Sequence, residues 1–135
     1  MYPPGLSEHD ARTMWMLPGV DRAGTYVATI GGDVVATAYL KPNQPGQGDH
    51  VANAGWMVAP SAAGRGVGRR LAVHVIDAAR QIGFRAMQFN AVVATNTGAV
   101  TLWESLGFDI VGTVPDAFRH PTDGLCAVHI MYREL

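Results

Sequence analysis

The stretch Val58-Ala59-Pro60-Ser61-Ala62-Ala63-Gly64-Arg65-Gly66-Val67-Gly68 constrains this chain more than any other. An apolar strand end meets a proline, and glycines at alternate positions then lead into a segment with helical periodicity. Gly64, Gly66 and Gly68 give the backbone access to positive φ and let a ligand approach closely. The first N–H groups of the helix that follows have no intrahelical acceptor, and they form the positive end of its dipole. The stretch therefore reads as an anion cradle between a strand and a helix.

Two phosphate loops fail on spelling. A Walker loop needs Lys-Ser/Thr after its last glycine, and here Arg69 and Arg70 follow Gly68. A dinucleotide fingerprint needs G-x-G-x-x-G early in a βαβ unit, but the third position is Leu71 and the motif lies mid-chain, after several strand-like segments. Arg65, Arg69 and Arg70 crowd the loop although net charge is only −1, so the expected anion is a local ligand and not nucleic acid.

With 135 residues and 48% hydrophobic content, the chain suits a single domain over 1–135 with a real core. Cys126 has no cysteine to pair with, which fits a reducing, cytoplasmic setting. No apolar run approaches the roughly 18 residues of a membrane span, so no membrane partner is expected. The five histidines show no metal-ligand spacing with carboxylates or Cys126, and no metal is implied.

Periodicity and breakers order the elements. Ser7 to Trp15, with Ser7 and Asp10 at capping-box spacing, predicts a helix ended by Pro18-Gly19. Thr25–Ile30 and Val34–Leu40 predict a hairpin about Gly31-Gly32-Asp33, and 41–49 a loop. Val51–Val58 reads as a strand, Arg69–Ile82 as a helix closed by Gly83, and Phe84–Val93 as a strand. Thr97–Leu106 reads as a second amphipathic helix. Phe108–Val114 and Cys126–Tyr132 are strands around a turn-rich segment. Helices alternating with strands mid-chain, and strands clustered at both ends, predict a mixed α/β sheet of α+β type.

The loop has a companion. Asn96-x-x-Ala99-x-x-Leu102-Trp103-x-x-x-Gly107-Phe108 follows it by one helix and one strand. The pair, with Val58-Ala59-Pro60 and Gly66-Val67-Gly68, resembles the two signatures of the GNAT (GCN5-related) N-acetyltransferases over residues 24–135. Ala63 stands where that family prefers Gln or Arg, and Trp103 where many members have Tyr. Asn53, Phe89-Asn90, Ala94-Thr95-Asn96 and the segments 112–121 and 131–133 are similar to the subgroup containing fungal proline-analogue (azetidine-2-carboxylate) acetyltransferases.

The resemblance implies the GNAT acyl-CoA N-acyltransferase fold, shortened at its start, with acetyl-CoA between two splayed parallel strands. Coenzyme A would be held by Met57, Val58, Ala63, Gly64, Arg65, Gly66, Val67, Gly68, Arg69, Asn96 and Trp103. Its pyrophosphate would rest on the amides of residues 64–69, and an N–H around Met57 or Val58 would face the developing oxyanion. Asn53 and Asn90 would hold a small-molecule amine or amino-acid acceptor, and Asn96 would sit near the thioester, giving Asn53, Asn90 and Asn96 as catalytic candidates. The plainer alternative makes Asn53 and Asn90 strand amides bonded to backbone, and Asn96 an N-cap.

Asp49, His50, Glu104 and His120 are the available general bases, with water held by Asn53 or Asn90 as an equal alternative. An indole does not give up its proton, so Trp103 leaves the acid role to water, to another phenol such as Tyr132, or unfilled. The acceptor walls are expected from 41–50 and 115–125. A missing edge strand can be supplied by a second copy, so a homodimer is expected. The main reading is an acetyl-CoA-dependent N-acetyltransferase; the alternative is a non-catalytic acyl-CoA-binding or sensing module.

Overall fold

The computed structural model describes residues 7–17 and 19–135. Residues 1–6, Pro18 and the Asp10 side chain lie outside the described residues, and so do the shortened start, the Pro18 stop and the capping box expected there. The elements run α1 (Glu8–Met16), β1 (Gly24–Ile30), β2 (Asp33–Pro42), β3 (Val51–Val58), α2 (Val67–Ile82), β4 (Ala86–Val93), α3 (Thr97–Ser105), β5 (Asp109–His120) and β6 (Gly124–Glu134). The six strands form one sheet in the order β1-β2-β3-β4-β6-β5, antiparallel except between β3 and β4. This is the expected mixed α/β architecture.

Strand alternation sorts the side chains into two layers. Ala36, Ala38, Leu40, Ala52 and Ala54 bury one face of β2 and β3 against Leu71, Ala72, Val75, Ile76 and Ala79 of α2. The small alanines let the helix lie close to the sheet. On the opposite face Trp15 of α1 meets Tyr39 edge-on at 4.9 Å and donates its Nε1–H to Thr37 Oγ1 at 2.9 Å. The predicted hairpin closes through Gly31 and Gly32, both at positive φ, with Ile30 opposite Asp33.

Three expectations change. The 41–49 segment is not all loop: Lys41 and Pro42 continue β2 opposite Asn53 and Ala52. Pro42 is tolerated because Ala52, its partner on β3, directs its hydrogen-bonding groups away from β2. The turn-rich 115–125 segment is mostly strand, since β5 runs to His120 and pairs with β6 up to His120↔Gly124. Pro115 is accommodated on this edge strand by a register irregularity between Val114 and Phe118, where Asp116 takes φ 51°. Finally, α2 starts at Val67, which puts Gly68 inside the helix; only Gly64 (φ 77°) and Gly66 (φ 76°) of the loop are left-handed. What Gly68 provides is room, because a Cβ there would lie 3.3 Å from Val58 Cγ2.

Candidate active site

β3 and β4 are paired at only two places, Val51↔Ala86 and Ala52↔Met87. Beyond them β3 stays in register with β2 to Val58, while β4 follows β6. The parallel pair therefore opens into a cleft of about 640 Å³. Asn53 stands at the fork, 8% exposed. Its Nδ2 donates to the Gln88 carbonyl of β4 at 3.0 Å, and its Oδ1 accepts from the Tyr39 hydroxyl at 3.3 Å. A side-chain amide thus spans the two strands where the backbone ladder stops.

The register fixes which amides face the cleft. Asn43 donates to the Val51 carbonyl and Ala59 to the Val35 carbonyl, so the odd-numbered β3 residues bond toward β2. The even-numbered residues Ala54, Trp56 and Val58 direct their N–H and C=O toward β4, past the point where β4 has left. The amide of Met57 is committed to Thr37, its partner on β2. Of the two amides expected to face the cleft, Met57 N–H is turned to β2 and Val58 N–H is not, and the Trp56 amide, not expected there, also faces the cleft.

The cleft has a polar wall and an aromatic wall. On the α1 side Gln88 Nε2 donates to Asn90 Oδ1 at 3.0 Å, and Asn90 Nδ2 to Asn43 Oδ1 at 2.7 Å; Tyr39, Lys41 and Asn53 continue the strip. Tyr39 lies over Gly55, where a Cβ would come within 2.5 Å of its ring, so only glycine fits beneath it. On the α2–α3 side Trp103 packs at 4.7 Å from Trp56 and 4.6 Å from Phe89. The Nε1 of Trp56 is buried there with no hydrogen-bond partner among the described residues.

The glycine loop leaves the end of β3 and delivers the start of α2. Ala62 N–H bonds Ala59 O, Ala63 N–H bonds Pro60 O, and Arg65 N–H bonds Ala62 O at 3.3 Å, so the loop uses three of its own amides, that of Arg65 among those expected to hold the pyrophosphate. Val67, Gly68 and Arg69 form the first turn, whose N–H groups have no acceptor within the helix. The Arg69 side chain donates to Ser105 Oγ at 2.8 Å and ties this end of α2 to the end of α3. Asn96 caps α3, its Oδ1 accepting from Ala99 N–H at 3.2 Å, and it also lines the cleft.

Asn53, Met57, Asn90, Asn96 and Trp103 are thus brought to one cleft, while Val58 and the loop lie at and beyond the end of β3. The proposed bases are elsewhere. Asp49 pairs with Arg22, His120 Nδ1 accepts from the Thr122 and Asp123 amides, and neither they nor His50, Glu104 or Tyr132 line the cleft. The 115–125 segment contributes no wall, because it is spent on the β5–β6 hairpin. Tyr39, Lys41, Trp56 and Gln88 escaped the sequence reading; the alternation of β2 and β3 was the signal available for the first three.

A mixed sheet whose one parallel pair splays around a cleft, followed by a glycine-built helix N-terminus, is the acyl-CoA N-acyltransferase fold. The chain belongs to the Acetyltransferase (GNAT) family, whose sequence model matches residues 2–108. The structure of a GCN5-related N-acetyltransferase from Kribbella flavida is 53% identical, with a TM-score of 0.95 over 100% of this chain and 81% of that one. Ribosomal-protein-alanine N-acetyltransferase from Brucella melitensis is 26% identical, with a TM-score of 0.86 over 100% of this chain and 83% of its own. Among curated proteins, N-acetyltransferase aca1 of Schizosaccharomyces pombe is 44% identical over 81 residues, 60% of this chain. The chain spans 39% of that relative's length. Among the described residues, no helix is long and apolar enough to cross a membrane.

Proposed function

We propose that the chain is an acetyl-CoA-dependent N-acetyltransferase acting on a small amine or amino acid, with proline analogues as the first acceptors to try. The observation that carries this reading is the pair of β3 amides, Trp56 and Val58, directed into a cleft beside the glycine-lined start of α2. Acetyl-CoA, when bound, supplies an activated acetyl group and a thiol leaving group of pKa about 8.5. The residues present fit it. The first-turn amides of α2 suit a pyrophosphate, and the unpartnered Trp56 indole N–H suits a carrier rich in amide carbonyls.

The chain's own groups then divide the work. The Val58 and Trp56 amides stabilise negative charge on the carbonyl under attack, an effect that needs no titratable side chain. Asn53 and Asn90 form the wall against which the acceptor amine is oriented, and Asn96 holds the start of α3 beside it. Deprotonation of the amine falls to water on the amide strip, since among the described residues no carboxylate or imidazole lines the cleft. That same fact favours the second reading, a non-catalytic acyl-CoA-binding module.

Free-thiol release from acetyl-CoA, measured over a panel of amines and amino acids including azetidine-2-carboxylate, separates the two. Acceptor-dependent release supports the enzyme, whereas tight coenzyme binding without release for any acceptor supports the module. The proposal includes a cytoplasmic location, in keeping with the lone Cys126, and a homodimer through the β1 edge, where Val27 is 56% exposed. Light scattering on the purified protein tests the dimer.

A further inference from the structure

We infer that Lys41 is the counter-charge for a carboxylate on the acceptor, so that the cleft selects amines carrying an acid group over bare amines and diamines. The inference rests on the acetyltransferase reading above and names the residue that would set its acceptor class. Of the described side chains lining the cleft, only Lys41 is a formal ion at neutral pH. It stands directly opposite Asn53 on the polar wall, half-buried, and its Nζ lies 5.7 Å from the centroid of the Tyr39 ring. Among the described residues no carboxylate forms an ion pair with it.

A partly desolvated cation without an anion is costly, and an anionic ligand group offsets that cost. The neighbouring groups are amides and a phenol, which hydrogen-bond a carboxylate but do not neutralise it. A diammonium acceptor would bring a second positive charge to the same wall with nothing to balance it.

The spacing suits an amino acid. Asn53 and Trp56 are three residues apart on β3, roughly 10 Å at the rise of a strand. The lysine ammonium lies toward the Tyr39 ring, and Tyr39 is paired with Gly55, the residue before Trp56. A carboxylate held there places an α-amine within reach of a carbonyl at the Trp56 and Val58 amides.

The test compares L-proline, prolinamide and pyrrolidine, and L-alanine, alaninamide and ethylamine, in the native protein, Lys41→Met and Lys41→Arg. Each acceptor is compared with itself across variants, which removes differences in amine basicity. The expected result is that Lys41→Met lowers kcat/KM for the free acids roughly 10- to 100-fold, mostly through KM, and leaves the amides and bare amines nearly unchanged. Lys41→Arg should restore most of the preference. Coenzyme affinity, followed by tryptophan fluorescence, should not change in either variant, which shows that the fold is retained. The inference is overturned if the native protein turns over the bare amines as well as the acids, or if Lys41→Met depresses all acceptors equally. Acetylation indifferent to the acid group would sink this inference alone. An absence of acetylation with every acceptor would sink the enzyme reading and this inference with it.

Discussion

The Asn53 side chain donates to the Gln88 carbonyl at 3.0 Å at the fork where β3 and β4 cease to pair. The bond continues the link between β3 and β4 one residue past the last backbone pair, and it ties the polar wall of the cleft to both strands. A further bond to the Tyr39 hydroxyl connects the fork to α1 through Trp15.

Removing that bridge should cost stability and acceptor affinity together. Asn53→Ala leaves the Gln88 carbonyl without this donor and removes a buried amide, at about 1–3 kcal/mol. Urea unfolding should show a lower midpoint with an unchanged slope. Acceptor KM should rise while coenzyme affinity stays near the native value, because the first turn of α2 is not touched. A loss confined to coenzyme binding would contradict this role for the fork.

The loop glycines should not be equivalent. At Gly66, φ 76° is a left-handed conformation in open space, so Gly66→Ala is limited by backbone strain of about 1–2 kcal/mol. Gly68 has helical geometry, and an added Cβ meets only the Val58 side chain, which can give way. Its alanine variant gains helix propensity that offsets the contact. Thermal unfolding of the two variants should therefore rank Gly66→Ala as clearly the less stable; the reverse order would mean that the close approach to Val58 is the tighter constraint.

Much of this was legible in the sequence because it is local. Gly31-Gly32 sets the hairpin, Asn96 and Gly107 bound the helix of the second motif, and Gly64 and Gly66 adopt the positive φ their spacing requires. Asn53 and Asn90, singled out by family resemblance, both line the one cleft. What local pattern does not encode is the fork itself. Strand alternation puts Tyr39, Lys41 and Asn53 on one face, but it does not say that β4 will leave β3 after Met87. Pro115 likewise reads as a turn, and only pairing with β6 at a sheet edge makes it part of a strand.

Trp103 should prove to be a packing residue. It sits 9% exposed among Trp56, Phe89 and Phe108, and its indole cannot act as an acid. Trp103→Phe keeps an aromatic ring in the cluster, so turnover should stay within a few-fold of native. Trp103→Ala opens a cavity in the wall and should cost about 3–5 kcal/mol. Steady-state kinetics alongside denaturant unfolding check both. If Trp103→Phe abolishes turnover with fold and coenzyme binding intact, the indole participates in the reaction.

The pH dependence follows from the ionisable groups that reach the cleft, which among the described residues are the Tyr39 phenol and the Lys41 ammonium and no carboxylate or imidazole. With no base in place to titrate near neutrality, the reactive acceptor is the fraction already present as free amine. The logarithm of kcat/KM should then climb with pH at a slope near one, and level off only at the acceptor's own amine pKa. Exchanging one acceptor for a less basic one should move the plateau by the difference between their pKa values. Asp49→Asn, His50→Gln, Glu104→Gln and His120→Gln should each leave the profile in place, since none of these side chains lines the cleft. A plateau near pH 6 to 7 that is the same for all acceptors, and that is lost in one of these variants, would identify that residue as the base after all.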